Sequence, residues 1–452
     1  MTHLINRAFN HDYPTVAGGK GVRLVDTNGK SYLDASGGAA VSSIGHGHPK
    51  VVAAIKQQAD EVAYAHTSFF TSKPAEELAD WLIARAPEGF GRVAFVSGGS
   101  EAVEGALKLT RQVHVERGEP QRSHFIARQQ SYHGGTIGLI ALAGPKPTRT
   151  VFEPVFGDGI SMSHIPPCYA FRNKREDESE ADYGLRAARA LEEEILRVGP
   201  EKVAGFVAET VSGSTIGCVP PAPGYFKEIR RICDKYGVFL IVDEVMAGMG
   251  RTGHLFAIAE DGVSPDLIAI AKGLGGGYQP IGAVLLRSAH YDVLAKGSGN
   301  LAWTHTYLAH PMACAAALAV QKVIEEEGLL ANCRARGAEL KERLQQRLGQ
   351  HPHVADIRGR GLFVGIELVA DRTTKAPFPR AKKVAENFKK HAFANGMLCY
   401  PTGGTADGIV GDHVMLAPPL IITSEEINEL VDIFERTLNE TLAKIEKQGK
   451  TS

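Results

Sequence analysis

Three common features are missing from this sequence: an excess of charge of one sign, closely spaced cysteines and long hydrophobic runs. Its 50 lysines and arginines nearly balance 51 aspartates and glutamates, which gives a formal net charge of −1 at pH 7. Proteins that bind nucleic acid neutralise phosphates with clustered positive charge. This chain of 452 residues is therefore not predicted to bind nucleic acid.

The cysteines are few and scattered. They are Cys168, Cys218, Cys233, Cys314, Cys333 and Cys399. No two form a CxxC motif, and none has a close cysteine or histidine at zinc-finger spacing. We therefore predict reduced thiols, no metal site and a cytoplasmic location.

No apolar run is long enough to predict a membrane span. Residues 312–320 form one of the longest runs, far short of the roughly 20 residues that a bilayer requires. Residues 1–13 carry charged and polar side chains throughout, so no secretory signal is expected. A hydrophobic fraction of 44% is instead ordinary for a globular chain.

Glycine and proline, in contrast, are abundant. The chain has 50 glycines and 23 prolines, about one residue in six against a norm of about 12%. They are too dispersed for a collagen-like or low-complexity segment. Their number predicts many tight turns and places where the backbone approaches another group closely.

The order of the patterns along the chain predicts an α/β fold. Residues 21–35 are typical of a hairpin around Asn28 and Gly29, a pair that favours a type I′ turn. From about residue 60 to 320, short apolar runs alternate with helical periods. Such runs indicate a parallel sheet covered by helices on both faces. The rest of the chain has a helical and then a short α+β pattern, with a last helix near Ser424.

Ligands of open α/β sheets bind beyond the carboxyl ends of the strands, so polar residues that follow apolar runs are candidates. The first run, 93–96, is followed by the small-residue segment SGGSE (97–101) and a helical pattern over 102–112. The free amides of a helix N-terminus there would bind phosphate. The alternative is an ordinary glycine-rich turn with Ser100 as the helix cap.

A second run, 238–242, ends at Asp243 and Glu244. A carboxylate at the end of a fully apolar strand needs a partner. That partner could be a metal ion, a cation or a protonated nitrogen, and the alternative is a structural ion pair.

A third run, 267–271, ends at Lys272, which precedes the glycine cluster 273–277. A desolvated lysine has a lowered pKa and can act as an amine nucleophile that forms a Schiff base. The alternative is an ion-paired or snorkelling lysine. Asp243 and Lys272 are 29 residues apart in the sequence, about one βα unit, which would place them on neighbouring strands.

The fourth candidate is the aromatic pair Tyr132 and His133, which follows the run 125–128 and precedes two glycines. This arrangement could lay a ring flat against a planar ligand, or the rings could simply be packed in the core. A phosphate cradle, a stacking ring, a carboxylate and a Schiff-base lysine are together what pyridoxal 5′-phosphate requires.

With these motifs the sequence resembles the class III pyridoxal-phosphate aminotransferases, the family of the ω-amino acid and amine:pyruvate transaminases. The resemblance covers nearly the whole chain and is carried by SGGSEAVEGALKLTRQ (97–112), SYHGGT (131–136), AET (208–210), LIVDEVMAGMGRTG (240–253), PDLIAIAKGLGGGYQPIGA (265–283) and HTYLAHPMACAAAL (305–318).

The resemblance implies the fold-type I architecture, a large, mostly parallel central sheet domain plus a smaller α+β domain. We expect the large, cofactor-binding domain over 60–320 and the small domain from both ends of the chain, 1–59 and 321–452.

The resemblance also implies roles for single residues at the centre of the site. Lys272 matches the Schiff-base lysine and proton shuttle, and Asp243 matches the partner of the pyridine nitrogen. Tyr132 matches the aromatic that stacks on the cofactor ring, with His133 beside it, and Val245 matches the residue on the other face.

Other matches lie at the edge of the expected site. Gly99 and Ser100 match the phosphate cradle. Thr306 matches a threonine that reaches the phosphate of the other subunit, which implies a homodimer with a shared active site, or a higher oligomer. Glu209 matches a carboxylate near the edge of the cofactor, which in some members pairs with an arginine.

The sequence departs from the family pattern at two places. Ala40 aligns where many amine-specific members have a bulky aromatic, which predicts a roomier pocket. Many members also carry a C-terminal arginine for the keto-acid carboxylate, but residues 391–430 contain no lysine or arginine and include a glycine-rich loop, 402–413. The remaining candidates are backbone amides and the side chains of His413, Arg251, Arg358 and Arg360, and each arginine could instead be structural.

The predicted function is therefore a transamination that carries an amino group from an amine or ω-amino acid, through a Lys272 aldimine and pyridoxamine phosphate, to a keto acid. Pyruvate is favoured as the acceptor over 2-oxoglutarate, because a second carboxylate would need an additional arginine. The alternative is an aminomutase, a racemase or a decarboxylating transaminase of the same fold. A nicotinamide or nucleotide enzyme is not supported, since the turn after 93–96 contains neither GxGxxG nor a P-loop.

Overall fold

The structure is a computed structural model that describes residues 3–144, 150–156 and 161–449. Over these residues the strands are β1 (Val16–Lys20), β2 (Arg23–Asp26), β3 (Ser31–Asp34), β4 (Phe90–Val96), β5 (His124–Arg128), β6 (Met162–Ile165), β7 (Val203–Glu209), β8 (Phe239–Asp243), β9 (Leu267–Ile270), β10 (Gly282–Arg287), β11 (Val354–Arg360), β12 (Phe363–Leu368), β13 (Met397–Leu398), β14 (Tyr400–Gly403) and β15 (Asp412–Leu416).

The helices alternate with these strands through the middle of the chain and flank them at both ends. They are α1 (Gly37–Ala40, a kinked turn), α2 (Pro49–Glu61), α3 (Lys73–Ile83), α4 (Gly99–Glu116), α5 (Ile137–Leu142), α6 (Glu153–Phe156), α7 (Ala170–Asn173), α8 (Glu180–Val198), α9 (Tyr225–Tyr236), α10 (Ser288–Lys296), α11 (Pro311–Glu326), α12 (Leu329–Leu348), α13 (Val384–Ala394) and α14 (Ser424–Gly449). No helix in these described stretches is both long and apolar enough to cross a membrane.

The central sheet has seven strands in the order β4-β10-β9-β8-β7-β5-β6. The pairs from β9 to β6 are parallel, and only β10 runs antiparallel to its neighbours β9 and β4. Every residue of β7, β8 and β9 is buried, because helices cover both faces of the sheet. The predicted α/β fold with a mostly parallel central sheet is confirmed.

Successive residues of these strands pack against opposite layers of helices. Phe206 and Leu240 belong to one apolar cluster, together with residues of α3, α8, α9 and α11. Val207 and Ile241 belong to another, together with residues of α4 and α5. This alternation explains why the strands are apolar throughout rather than at every second position.

Two four-stranded sheets lie outside the central one, in the orders β1-β2-β3-β13 and β11-β12-β15-β14. β13 pairs in parallel with β3, so that Met397 lies opposite Leu33. One apolar cluster joins side chains between Val22 and Val51 with side chains between Val320 and Ile445. The two ends of the chain thus share a core, while the domain limits given above stay a prediction.

The predicted hairpin is present, but the prediction of a type I′ turn is wrong. β2 and β3 pair with Arg23 opposite Leu33. Gly29 has a positive φ of 81°, whereas Asn28 does not. A type I′ turn requires positive φ at both central residues, so the strands are joined instead by the three-residue loop 27–29, closed by the Asp26 amide donating to the Lys30 carbonyl at 3.1 Å.

A buried carboxylate fixes the end of β9 that lies away from the carboxyl ends of the strands. Asp266 accepts hydrogen bonds from Arg230 Nη1 at 2.6 Å, the Leu240 amide at 2.8 Å and His290 Nε2 at 2.9 Å. Burial disfavours the charge, but the bond from His290 and the positive charge of Arg230 outweigh it and lower the pKa of Asp266 to about 2. Asp266 thereby ties β8 and β9 to α9 and α10.

We expect Asp266→Asn to destabilise the protein at neutral pH. A carboxyl whose pKa falls from 3.8 to about 2 on folding stabilises the folded state by about 2 kcal/mol above pH 4. This contribution is lost as the pH falls through the pKa of the folded state. The urea midpoint of Asp266→Asn should therefore be lower than that of the parent protein at pH 7. The difference between the two midpoints should become smaller below pH 4. Exposed Asp60→Asn is the control, and equal midpoints for both variants at pH 7 would refute the assignment.

Candidate active site

Charged and polar residues converge at the carboxyl ends of three neighbouring parallel strands. Glu209 ends β7 and lies in register with Asp243, which ends β8. Asp243 is in turn in register with Ala269 of β9, and Lys272 follows two residues after that strand. The predicted placement of Asp243 and Lys272 on neighbouring strands is confirmed, since the sheet order makes β8 and β9 adjacent.

These residues open into a cavity of about 390 Å³. Its lining includes eight of the nine residues predicted for the cofactor site: Gly99, Ser100, Tyr132, His133, Glu209, Asp243, Val245 and Lys272. The exception is Thr306, whose side chain is exposed and whose carbonyl accepts a hydrogen bond from Tyr64 Oη at 3.0 Å. The structure therefore brings together the predicted residues of one subunit and leaves Thr306 on the surface.

Asp243 is held by two neighbours. Its Oδ2 accepts a hydrogen bond from His133 Nδ1 at 2.8 Å, and its Oδ1 accepts one from the Val245 amide at 2.9 Å. Both His133 and Asp243 are buried. His133 was predicted as a ring beside the cofactor, and the structure shows that it also orients the carboxylate, which the spacing of the motifs did not reveal.

Lys272 lies in a strained turn with a lowered pKa. Its φ is +47°, a left-handed conformation that residues with a side chain seldom adopt. Burial lowers the pKa of its amine to about 8, although the carboxylates of Asp243 and Glu209 act in the opposite direction. A sizeable fraction of the amine is therefore neutral near pH 8, as a nucleophile requires.

The N-terminus of α4 borders the same cavity. Its cap is Gly98, so the alternative that Ser100 caps the helix is wrong. Ser100 Oγ instead accepts a hydrogen bond from the Gly135 amide at 3.1 Å. A Cβ atom on Gly99 would lie 2.8 Å from Val245 Cγ1, so a larger residue would close the space between helix and wall. Helix amides with a serine hydroxyl nearby suit an anion such as phosphate.

Glu209 is buried, and only one of its two carboxyl oxygens accepts a hydrogen bond. Its Oε1 accepts a hydrogen bond from the Gly213 amide at 3.1 Å, whereas its Oε2 has no partner. Burial raises the pKa of this carboxyl, and the nearby His133 and Arg128 act against that rise. Arg128 donates to the Glu209 carbonyl, at 2.5 Å. Among the described residues no arginine pairs with the Glu209 carboxyl group itself, although such a pair is expected in some members of the family that the sequence resembles.

The residues present fit pyridoxal phosphate. The buried, unpartnered Oε2 of Glu209 and the space that the absent side chain of Gly99 leaves are observations that a bound group would explain. The donor set agrees: an amine for the aldehyde, a carboxylate for the pyridine nitrogen, a helix N-terminus for the phosphate and the half-exposed ring of Tyr132 for stacking.

The arginines considered for the substrate carboxylate have other partners. Arg251 Nη1 donates to the carbonyls of Leu362 and Pro418. Arg358 donates to two carbonyls of the loop after β7 and to Glu367 at 2.6 Å. Arg360 pairs with Asp261 at 2.8 Å. None of the three lines the cavity, so each has a structural role.

The other side chain considered for the substrate carboxylate, His413, does not line the cavity either. His413 is fully buried and its Nδ1 lies 2.6 Å from Thr405 Oγ1. Ala40 packs in an apolar cluster with Val211 and Phe363, and it is the adjacent Val41 that lines the cavity. Sequence reasoning thus missed part of the wall: Met246 and the segment 279–281 lie inside the quoted motifs but were given no role, and Val41 lies in the loop after α1.

The chain matches a family model over almost its full length. Residues 7–438 match the family described as "Aminotransferase class-III". An uncharacterized aminotransferase of Schizosaccharomyces pombe is 47% identical over 96% of this chain and 94% of its own. The diaminobutyrate–2-oxoglutarate transaminase of Halomonas elongata is 36% identical, over 99% and 95% of the two chains. The putrescine–pyruvate aminotransferase of Pseudomonas aeruginosa is 35% identical, over 94% and 90%.

Solved structures agree with these sequence matches. The ω-transaminase of Pseudomonas jessenii, crystallised in complex with PMP, superposes with a TM-score of 0.89 at 32% identity. The match covers 96% of this chain and 94% of that one. At this coverage the similarity extends over the central sheet and the sheets at the chain ends.

We expect the pKa of Lys272 to be measurably lower than that of an ordinary lysine. Competitive acetylation of the cofactor-free full-length chain by trace acetic anhydride, followed by mass spectrometry, should give a midpoint near pH 8, against about 10.4 for a model lysine. Asp243→Asn should lower the midpoint further, because the carboxylate stabilises the charged amine. A midpoint near 10 in the parent protein would contradict the buried environment.

Proposed function

Because the chain belongs to the class-III aminotransferases, we propose that it transfers an amino group from a primary amine or ω-amino acid to a keto acid at the cavity around Lys272. The observation that carries this proposal is the convergence in one cavity of a low-pKa lysine, a histidine-oriented carboxylate, an aromatic face and a helix N-terminus. Enzymes of this family use pyridoxal phosphate.

Each residue of the cavity has a proposed task in holding the cofactor. The amides of Gly99 and Ser100 at the start of α4 would bind the phosphate. Asp243 would bind the pyridine nitrogen, oriented by its bond from His133. Tyr132 and Val245 would cover the two faces of the ring, and Glu209 would lie at its edge. When bound, pyridoxal phosphate supplies an aldehyde that captures amines and a ring that accepts electrons.

Lys272 is the proposed acid–base group. Its amine, partly neutral near pH 8, can accept a proton from the carbon that bears the donor's amino group and return it elsewhere in the cavity. The burial that lowers its pKa also keeps bulk water away from it. The carboxyl groups of Asp243 and Glu209 act on it and limit the fall in its pKa.

Pyruvate is the proposed acceptor in preference to 2-oxoglutarate. Among the described residues that line the cavity, Lys272 is the only lysine or arginine. The second carboxylate of 2-oxoglutarate would need a further cation, and the arginines considered above are paired elsewhere. Two of the three relatives reported above are named for different keto acids, 2-oxoglutarate and pyruvate, so this choice rests on the lining of the cavity.

A homodimer is proposed, with Thr306 acting in the site of the partner subunit. Thr306 is exposed and lies outside the cavity of its own chain. Exposed aromatic side chains lie in the same loop and in the loop before α3: Phe69, Phe70 and Tyr307 are 79%, 67% and 53% exposed. Apolar rings so exposed are typical of an interface. The cytoplasmic location stays a prediction.

Substitution of the lysine tests the chemistry. Lys272→Ala should abolish amino transfer and the visible absorbance of lysine-bound cofactor, because no other lysine among the described residues lines the cavity. Lys296→Ala, at an exposed lysine near the end of α10, should retain both. Turnover of Lys272→Ala at the rate of the control would overturn the assignment.

A donor panel tests the specificity. Primary amines, diamines and ω-amino acids are each offered with pyruvate or with 2-oxoglutarate, and the amino acid formed is measured. We expect product with both a donor and a keto acid present, and at least a tenfold higher kcat/KM for pyruvate, about the effect of one unmatched charge. Conversion of the donor without any keto acid would instead indicate a mutase or a racemase, and equal use of both acids would contradict the proposed acceptor.

A further inference from the structure

One buried polar side chain near the cavity has no place in the chemistry described above. Ten residues of α11 are buried, and Gln321 is the only one among them with a polar side chain apart from the thiol of Cys314. It is 0% exposed and lies between apolar residues such as Val320 and Ile324. An amide buried among apolar groups costs free energy unless its hydrogen bonds are made.

The amide of Gln321 is bonded to the turn that carries Lys272. Its Nε2 donates to the carbonyl of Gly273 at 3.0 Å and to the carbonyl of Leu274 at 2.9 Å. Ser43 Oγ makes a longer bond, of 3.3 Å, to the same Gly273 carbonyl. The two carbonyls belong to the two residues that directly follow Lys272.

This turn is one that the chain would not keep without support. Lys272 has a φ of +47°, which costs a residue with a side chain about 1–2 kcal/mol. Within the turn, the Gly275 and Gly276 amides both donate to the Lys272 carbonyl, at 3.1 and 3.0 Å. The carbonyls of Gly273 and Leu274 accept hydrogen bonds from outside the turn, and Gln321 donates to both of them.

We infer that Gln321 is a positioning residue for Lys272: its side-chain amide, anchored on α11, holds the left-handed turn in the conformation that keeps the Lys272 amine inside the cavity. The inference rests on the proposed function in that it takes Lys272 as the reactive lysine. Gln321 touches neither the cavity nor the lysine side chain and acts only through the backbone.

The test replaces the amide with an apolar chain of equal length. Gln321→Met leaves the Leu274 carbonyl without its side-chain donor and the Gly273 carbonyl with only the longer bond from Ser43, so the turn should relax and admit water to Lys272. The pKa of Lys272, about 8 in the parent protein, should move toward the ordinary value of about 10.4, and the neutral fraction of the amine at pH 7 should fall about tenfold. Competitive acetylation of the cofactor-free full-length chain measures this without any catalytic readout.

Gln58→Met is the matched control. Gln58 is also buried, and its Nε2 donates to the Val62 carbonyl at 2.8 Å at the end of α2, which is not part of the turn. Both variants should lower the melting temperature, but only Gln321→Met should change the pKa of Lys272 and slow the capture of added pyridoxal phosphate, about tenfold. An unchanged lysine pKa in a folded Gln321→Met protein would overturn the inference.

If Gln321→Met does not fold, Ser43→Ala tests whether hydrogen bonds to the carbonyls of the turn control the pKa of Lys272. It removes only the longer bond to the Gly273 carbonyl, so a smaller rise in the pKa of Lys272 is expected, and an unchanged pKa would count against support of the turn by its carbonyls. If the pKa of Lys272 rises in the variants as expected but the parent protein transfers no amino group, only the proposed function is refuted. If the parent protein transfers amino groups but the pKa of Lys272 is unchanged in the variants, only the positioning role of Gln321 is refuted.

Discussion

The central constraint in this protein is the burial of an amine beside two carboxyl groups at the end of a parallel sheet. Neighbouring strands β7, β8 and β9 bring Glu209, Asp243 and Lys272 to one edge. Charges in such a place are stable only when they are paired or hydrogen-bonded. Asp243 has two donors, Glu209 has one donor and a free oxygen, and the pKa of Lys272 falls to about 8. The cavity therefore has an incomplete set of polar partners that a charged, planar cofactor can complete.

The surrounding structure keeps this edge rigid and leaves room beside it. Glycines permit close approaches, as at Gly99 against Val245. The backbone of the Lys272 turn is tied to α11 through Gln321. Arg358 links the loop after β7 to Glu367 of β12, so the sheet formed late in the chain supports one wall of the cavity. The strain stored at Lys272 is thus held by contacts from parts of the chain that are far apart in sequence.

Local sequence patterns predicted most of the strands and the polar residues that follow them, because such a pattern depends only on residues that are neighbours in the sequence. Apolar runs identified strands β4, β5, β8 and β9, and the short segments after these runs contain Ser100, Tyr132, Asp243 and Lys272. The hairpin was predicted but its turn was not, since the choice between a two- and a three-residue loop depends on strand register, which pairing across β2 and β3 sets. The pocket wall could not be read from the alignment alone: it pointed to Ala40, which lies buried at the end of the kinked α1, whereas the adjacent Val41 lines the cavity.

The sequence by itself determined the fold class and the family and singled out most of the side chains that meet in the cavity, because apolar periodicity and the residues that follow each strand are local properties. Only the tertiary structure decided which partners those side chains have. It placed His133 on Asp243, left the Glu209 carboxyl group unpaired by any arginine of the described residues, engaged Arg251, Arg358 and Arg360 away from the cavity, and bonded Gln321 to the turn after Lys272. Hydrogen bonds and burial join residues up to hundreds of positions apart, and these long-range contacts fix the charge, the strain and the accessibility of the site.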